Sequence, residues 1–306
     1  MSAPAQAQAT PDSEHKGLVR LLPTSIRPFA LLARFDRPIG WWLLYWPCAW
    51  GLCLSGGLKA HWPLLLWMLA GAIAMRGAGC VYNDIVDRDL DAQVARTRVR
   101  PLASGAVKLK AAWVWLLILC AVGLIVLLQL KLFAQIVALA SLAPVAAYPF
   151  MKRITWWPQA WLGIVFSWGA LVGGAAIEVT LSTPVLLLYA GSISWVIGYD
   201  TIYASQDRED DALIGVRSSA RRLGAHVRGG VAAFYLLALV LWTGAFWSLR
   251  PQRLALLALA PAALHLFWQV VTLNPDDGVN ALAKFRSNRF AGLLVALACA
   301  AVGSAS

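Results

Sequence analysis

Nine apolar stretches, each near the length needed to cross a bilayer, recur along the 306-residue chain. They run at about Ile39 to Leu58, Pro63 to Val81, Ala111 to Leu130, Leu132 to Phe150, Pro158 to Ile177, Pro184 to Ser205, Gly229 to Leu249, Leu254 to Leu273 and Phe290 to Ala305. Hydrocarbon offers no water to backbone N–H and C=O groups, so only helices and closed barrels can span it. A barrel needs alternating polarity in segments of about ten residues, and runs such as AAWVWLLILCAVGLIVLLQL do not alternate. The chain therefore reads as an all-α integral membrane protein with nine transmembrane helices. At 60% hydrophobic and 13% charged residues, its composition excludes an ordinary soluble domain.

The charge is placed by topology. A net charge of +11 would suit nucleic acid, yet the Lys and Arg residues alternate with the spans. With the N-terminus inside, the inner segments carry five in the tail, six from Arg88 to Lys110, two at Lys152 and Arg153, five from Arg208 to Arg228 and three from Lys284 to Arg289. The outer segments carry only Lys59, Lys131, Arg250 and Arg253. This asymmetry predicts nine spans with the N-terminus in and the C-terminus out. Met1 to Phe35 has no apolar core of the signal-peptide kind; residues 1–27 read as a disordered extension and 28–306 as the membrane domain.

The five cysteines sit in apolar segments without CxxC spacing and read as small hydrophobes. Of the sixteen tryptophans, Trp41, Trp42, Trp62, Trp156 and Trp157 fall at span ends, where an amphipathic ring anchors in the headgroup layer. His265, inside a span, reads as a packing residue, and Glu178, at a helix end, as solvated.

Against this background two acidic clusters stand out. Asp84, Asp87, Asp89 and Asp91 in YNDIVDRDLD, with Asp200, Asp207, Glu209, Asp210 and Asp211 in YDTIYASQDREDD, hold nine of the fifteen acidic residues. Asp84, Asp87 and Asp91 lie at i, i+3 and i+7, and Tyr203, Asp207 and Asp211 step by four, so each trio shares one helix face. Asp87 and Asp91 recur as Asp207 and Asp211, both 120 residues on, each followed by a basic stretch. The echo suggests two related halves. Carboxylates so concentrated repel one another unless a cation sits among them, and an all-oxygen ligand set suits a hard divalent ion such as magnesium.

Arginines beside the same site call for an anion as well. A magnesium-bound polyphosphate satisfies both, the ion bridging carboxylate and phosphate while guanidinium forks take the remaining oxygens. Arg76, Arg96, Arg100 and Arg217 are candidates. Arg76, seven residues before Asn83, lies two turns deeper on the same face, and an intramembrane arginine is costly enough to be a functional candidate.

The segments RGAGCVYNDIVDRDLDAQVARTRVRPLASG from Arg76 and YDTIYASQDREDD from Tyr199 closely resemble the UbiA superfamily of intramembrane aromatic prenyltransferases. The likeness extends from FDRPIGWWLLYWP at Phe35, through YPFMKRITWWPQAWLG at Tyr148, to ALAKFRSNRFAG at Ala281. The family pattern NDxxDxxxD matches Asn83, Asp84, Asp87 and Asp91, and YxxxDxxxD matches Tyr203, Asp207 and Asp211. The resemblance implies a nine-helix bundle around a central cavity. It also implies magnesium held by Asn83, Asp87, Asp91, Asp207 and Asp211, and Asp84 joining these aspartates in the catalytic set.

Arg37, Arg76, Arg96 and Arg100 would be the basic partners of the diphosphate. The flanking motifs resemble members that transfer a polyprenyl group from polyprenyl diphosphate to 4-hydroxybenzoate in ubiquinone biosynthesis, in a bacterial inner membrane with the site opening on the cytoplasm. Lys152, Arg153 or Arg37 would then meet the aromatic carboxylate. Transfer to another acceptor, such as haem or a glycerol ether lipid, is the nearest alternative. A cation-coupled transporter is the alternative outside enzymes, but its acids should lie near the bilayer midplane, whereas these lie at span ends.

Overall fold

The structure, a computed structural model, describes residue 13 and residues 16–93, 97–206 and 217–304, without the side chains of 16–18 and 152. Among the described residues every regular element is helical. Seven helices are long and apolar enough to cross a membrane: Pro63–Val86, Leu109–Leu127, Leu132–Met151, Thr183–Ser205, Ser219–Leu249, Arg253–Thr272 and Gly278–Gly303. The expected count of nine is thus met by seven full-length spans among the described residues, with two shorter elements in the remaining places. The first is Ile39–Leu54, of 16 residues. The second, the Pro158 to Ile177 stretch, forms Pro158–Ser167 and Gly169–Ala175, which meet at Trp168.

These two short elements also pack closely on each other. A Cβ added to Gly51 would strike the carbonyl of Ala170, and one added to Gly173 would strike that of Cys48. Backbone therefore packs directly on backbone between them, the small-residue contact by which helices associate where lipid removes the hydrophobic drive. Other helices look outward instead. Leu109–Leu127 exposes Val114, Leu117, Ile118, Leu124 and Ile125, a face that only hydrocarbon would solvate. Residues 1–27, expected to be disordered, include the helix Lys16–Leu21, and the Arg27 guanidinium donates to the Arg20 carbonyl at 2.7 Å.

The chain divides into two compact units, one of Met1–Trp41 and Leu69–Leu128, the other of Trp42–Met68 and Gln129–Ser306. In the first, Leu32, Ala33, Ala78, Val81, Leu116 and Leu119 form a buried core. Trp115 closes it, meeting Phe29 and Phe35 edge-on at 6.0 and 6.4 Å. Gly77 fits closely here: a Cβ would lie 3.2 Å from both Ala33 and Phe35, so the Ala33–Phe35 turn packs tightly on the Pro63–Val86 helix.

In the second unit Thr183–Ser205 is the inner helix, packed by Val227–Leu249, Pro158–Ser167 and Gly278–Gly303. Trp50, Trp195, Trp242 and Tyr199 are fully buried, with ring centroids 4.9 to 5.4 Å apart for the Trp195–Tyr199, Trp50–Trp195 and Trp50–Trp242 pairs. Their polar edges are satisfied where the core provides acceptors. Trp50 Nε1 donates to Gly292 O at 2.8 Å and Trp195 Nε1 to Asn288 Oδ1 at 2.9 Å. Tyr235 OH and Asn288 Nδ2 both donate to Gln269 Oε1, at 2.8 and 3.2 Å. His265, as expected, packs, with Nε2 3.2 Å from Ser287 O. Glu178 is more engaged than a solvated acid: it accepts from Ser55 Oγ and from the Ser182 N–H.

Gly51→Val tests the backbone contact. It should destabilise the protein by about 1–3 kcal/mol through overpacking, read as a lower melting temperature in detergent; an unchanged midpoint would exclude the close approach.

Candidate functional site

Helix Pro63–Val86 delivers Arg76, Asn83 and Asp84 along its last three turns, and the chain then re-forms a single turn, Arg88–Asp91. The junction stays tight because the Asp87 N–H donates to Asn83 O at 2.9 Å and the Asp91 N–H to Asp87 O at 2.8 Å. The expected face survives this break. Asp84, Asp87 and Asp91 are all buried, at 2%, 0% and 6% exposure, while Asp89 on another face is exposed. Asn83 and Arg76 are half-buried, and a Cβ on Gly40 would sit 2.8 Å from Arg76 Nε, so the glycine of FDRPIG makes room for that side chain.

Two guanidinium groups organise this face. Arg34 Nη2 lies 2.9 Å from both Asp84 oxygens, and its Nη1 donates to the carbonyls of Leu31 and Leu32 at 3.0 and 3.3 Å. Arg100 Nη1 donates to Asp91 Oδ2 at 2.7 Å and to Asp84 Oδ1 at 3.3 Å. Thr97 Oγ1 ties the returning loop to Asp91 O at 2.9 Å. The Arg34 guanidinium is held in its charged form: burial opposes the charge, but Asp84 at hydrogen-bond distance and the nearby Cys80 and Asp36 together outweigh it. Asp91 responds the other way, its carboxyl pushed up by burial with Arg100 only partly offsetting the shift. Arg100, expected as a diphosphate partner, thus bonds one oxygen of each of two carboxylates, Asp84 Oδ1 and Asp91 Oδ2.

Arg34 itself is bent for the purpose. Its φ is +58°, the left-handed region, and the Phe35 N–H bonds Ala30 O while the Arg34 N–H bonds Leu31 O, which closes helix Arg27–Leu32 in a Schellman motif. Glycine is the usual residue at that position, and a side chain there costs about 1–2 kcal/mol. Removing Arg34 would take from the buried Asp84 the cation that meets both its oxygens, a loss of about 3–5 kcal/mol. Asp36, 1% exposed, accepts no hydrogen bond among the described residues, and its nearest cation is Arg37 Nε at 3.5 Å. Arg34 and Asp36 were not among the residues expected at the site.

The second acidic segment begins on the last turn of Thr183–Ser205. Asp207, Asp211 and the rest of 207–216 lie outside the described residues, as does Arg96, but both flanks are fixed. Thr201 Oγ1 and Ser219 Oγ are 2.7 Å apart, and the Ser219 N–H donates to Gln159 Oε1 at 2.9 Å. Arg217 donates to Ile154 O at 2.8 Å, and both Arg217 and Arg221 lie over the Trp156 ring, at 5.6 and 5.4 Å. The segment therefore leaves and returns beside the YPFMKRITWW turn, where Arg153 is exposed; the Lys152 side chain is not described. Tyr203 packs on Phe285 at 4.6 Å, bringing ALAKFRSNRFAG to the same end. Trp156, expected as a headgroup anchor, also serves as a platform for these two arginines.

A carboxylate-rich face with arginine counter-charges can bind a hard cation together with an anion of higher charge. Among the described residues no group of three His, Cys, Asp or Glu is gathered as a metal cage. The donor chemistry nevertheless fits a shared metal: hard oxygens on Asn83, Asp87 and Asp91, with Asp84 already neutralised by arginine.

Comparison with known proteins is consistent across the chain. A profile of the UbiA prenyltransferase family matches residues 44–301. The mitochondrial 4-hydroxybenzoate polyprenyltransferase of Caenorhabditis elegans is 41% identical over 282 residues, covering 91% of this chain and 79% of the relative. A UbiA homolog from Aeropyrum pernix K1, solved in its apo form, superimposes with a TM-score of 0.64 at 26% identity, over 83% of this chain and 94% of that one. A UbiA homolog from Archaeoglobus fulgidus, solved bound to GPP and Mg2+, shares the fold at TM-score 0.65 and 16% identity, over 90% and 99%.

Gln159→Leu is expected to strand the Ser219 N–H and cost about 1–3 kcal/mol, with faster limited proteolysis at 206–218; a wild-type digestion rate would show that this bond does not hold the segment.

Proposed function

Because the chain belongs to the UbiA prenyltransferase family, we propose that it transfers a polyprenyl group from polyprenyl diphosphate to the ring carbon ortho to the hydroxyl of 4-hydroxybenzoate, in ubiquinone biosynthesis. The observation that carries this reading is the buried Asp84, Asp87, Asp91 face with its arginine counter-charges, on a chain 41% identical to a relative named for that reaction. Asn83, Asp87 and Asp91, with Asp207 and Asp211 of the second cluster, hold magnesium. The A. fulgidus protein of the same fold, bound to GPP and Mg2+, supports that choice of ion. Bound there, the metal supplies neutralisation for the diphosphate.

Arg76, with Arg96, takes diphosphate oxygens. The charge building on the leaving group is stabilised electrostatically as the allylic C–O bond breaks, its electron pair passing to the diphosphate. The ring carbon then forms the new C–C bond and its proton departs, restoring aromaticity. Arg37, Lys152 or Arg153 receives the carboxylate of the aromatic acid, and Tyr203, packed on Phe285, is a further substrate-binding residue. A long isoprenoid stays in the bilayer, since each methylene withdrawn into water costs about 0.8 kcal/mol.

The chain is a multi-pass membrane protein, and its basic segments mark one face of the membrane. The bacterial inner membrane expected from the sequence is not supported by the C. elegans relative, whose name is mitochondrial. Charge asymmetry identifies a face of a membrane, not which membrane.

Membranes containing the protein, given radiolabelled 4-hydroxybenzoate, a polyprenyl diphosphate and MgCl2, should move label into the organic phase, and EDTA should stop it. Asp87→Ala, Asp91→Ala, Asp207→Ala and Asp211→Ala should each lower the rate by roughly 10²-fold or more while the protein stays folded. Near-normal turnover in any two of them refutes the metal assignment.

A further inference from the structure

We propose that Arg34 is a positioning residue of the diphosphate site, holding Asp84 so that Arg100 stays on Asp91. The inference rests on the reading above that Asp87 and Asp91 take the metal. A chain that needed only the turn after helix Arg27–Leu32 would place glycine at the left-handed position; here arginine stands there, and its side chain is fully used. Its guanidinium meets four acceptors, two carbonyls of its own helix end and both oxygens of Asp84, so its orientation is fixed from two sides.

That contact settles what Asp84 does. It shares a face with Asp87 and Asp91, but both its oxygens are occupied by Arg34 and one is also approached by Arg100. Asp84 is therefore a counter-charge, and its neutralisation by Arg34 leaves Arg100 free to make its shorter bond, 2.7 Å to Asp91 against 3.3 Å to Asp84. Without Arg34, Asp84 would be a buried carboxylate with Arg100 as its nearest cation. Arg100 would be drawn toward Asp84, and Asp91 would lose the contact that orients it. Arg34 touches no reacting atom and acts through two residues in series, as outer groups around a metal do.

The test compares wild type, Arg34→Gly, Arg34→Lys, Asp84→Asn and the Arg34→Gly/Asp84→Asn double variant, purified as full chains. Magnesium-dependent binding of inorganic pyrophosphate is measured by calorimetry, and prenyl transfer separately. Arg34→Gly should raise the half-saturating Mg2+ concentration by roughly tenfold and lower kcat by a similar factor, with KM for 4-hydroxybenzoate unchanged and partial recovery in Arg34→Lys. In the Asp84→Asn background, Arg34→Gly should change either quantity by no more than about twofold; this comparison stands even if Arg34→Gly alone does not fold. An Arg34→Gly protein that binds Mg2+ and pyrophosphate like wild type overturns the inference, as does a full effect of Arg34→Gly persisting in the Asp84→Asn background. Wild type that binds pyrophosphate without need of Mg2+ overturns the proposed function itself, and this inference with it.

Discussion

A carboxylate buried where water is scarce must be met by a cation, and in the first unit that requirement organises everything around the helix end. Asp84 is 2% exposed, Asp87 0% and Asp91 6%. Carboxylates so close to one another cannot all stay ionised in a low dielectric unless charge of the opposite sign is distributed among them. Arg34 and Arg100 supply part of it through contacts of 2.7 to 3.3 Å, and the local backbone bends to make this possible. The left-handed Arg34, the Schellman closure of Arg27–Leu32 and the Thr97 bond to Asp91 O each hold a charged group in place rather than fill a core.

The second unit meets the same scarcity of water with neutral groups. Asn288 accepts from Trp195 and donates to Gln269, which in turn accepts from Tyr235, so one chain of amide and hydroxyl bonds runs through a fully buried tryptophan cluster. Such a network is worth making only if most of its members find partners. It braces Thr183–Ser205, the helix whose last turn begins the second acidic segment. The Thr201–Ser219 contact then brings that segment back to its starting point beside Gln159 and Trp156.

The sequence showed the spans because their signal is compositional, and it showed the acidic face because helical spacing is a local property. Among the described residues, two of the nine expected spans are shorter elements than the rest. Ile39–Leu54 and the pair Pro158–Ser167 and Gly169–Ala175 are as apolar as the rest, but their glycines make backbone contacts that length and hydropathy do not encode. The anchoring signal of tryptophan is read at span ends and says nothing of mid-span, where Trp50, Trp195 and Trp242 form a core. Arg34 escaped notice because nothing in LLARFDRPIG marks a left-handed arginine; the run of apolar residues before it, ending where glycine would be ordinary, is the only trace.

Spacing also assigns residues to a face without dividing the labour among them. Asp84, Asp87 and Asp91 look equivalent at i, i+3 and i+7, yet their surroundings differ: Asp84 has both oxygens under guanidinium, and Asp91 shares one with Arg100. A metal ligand must offer a lone pair that no stronger donor already holds, and a carboxylate between two arginines offers little. Within the motif, Asp84 is thus set apart from Asp91 as the carboxylate that balances charge on both of its oxygens. That division follows from residues that enter the site from Ala33 to Arg37 and from Thr97 to Arg100, on either side of the motif in sequence.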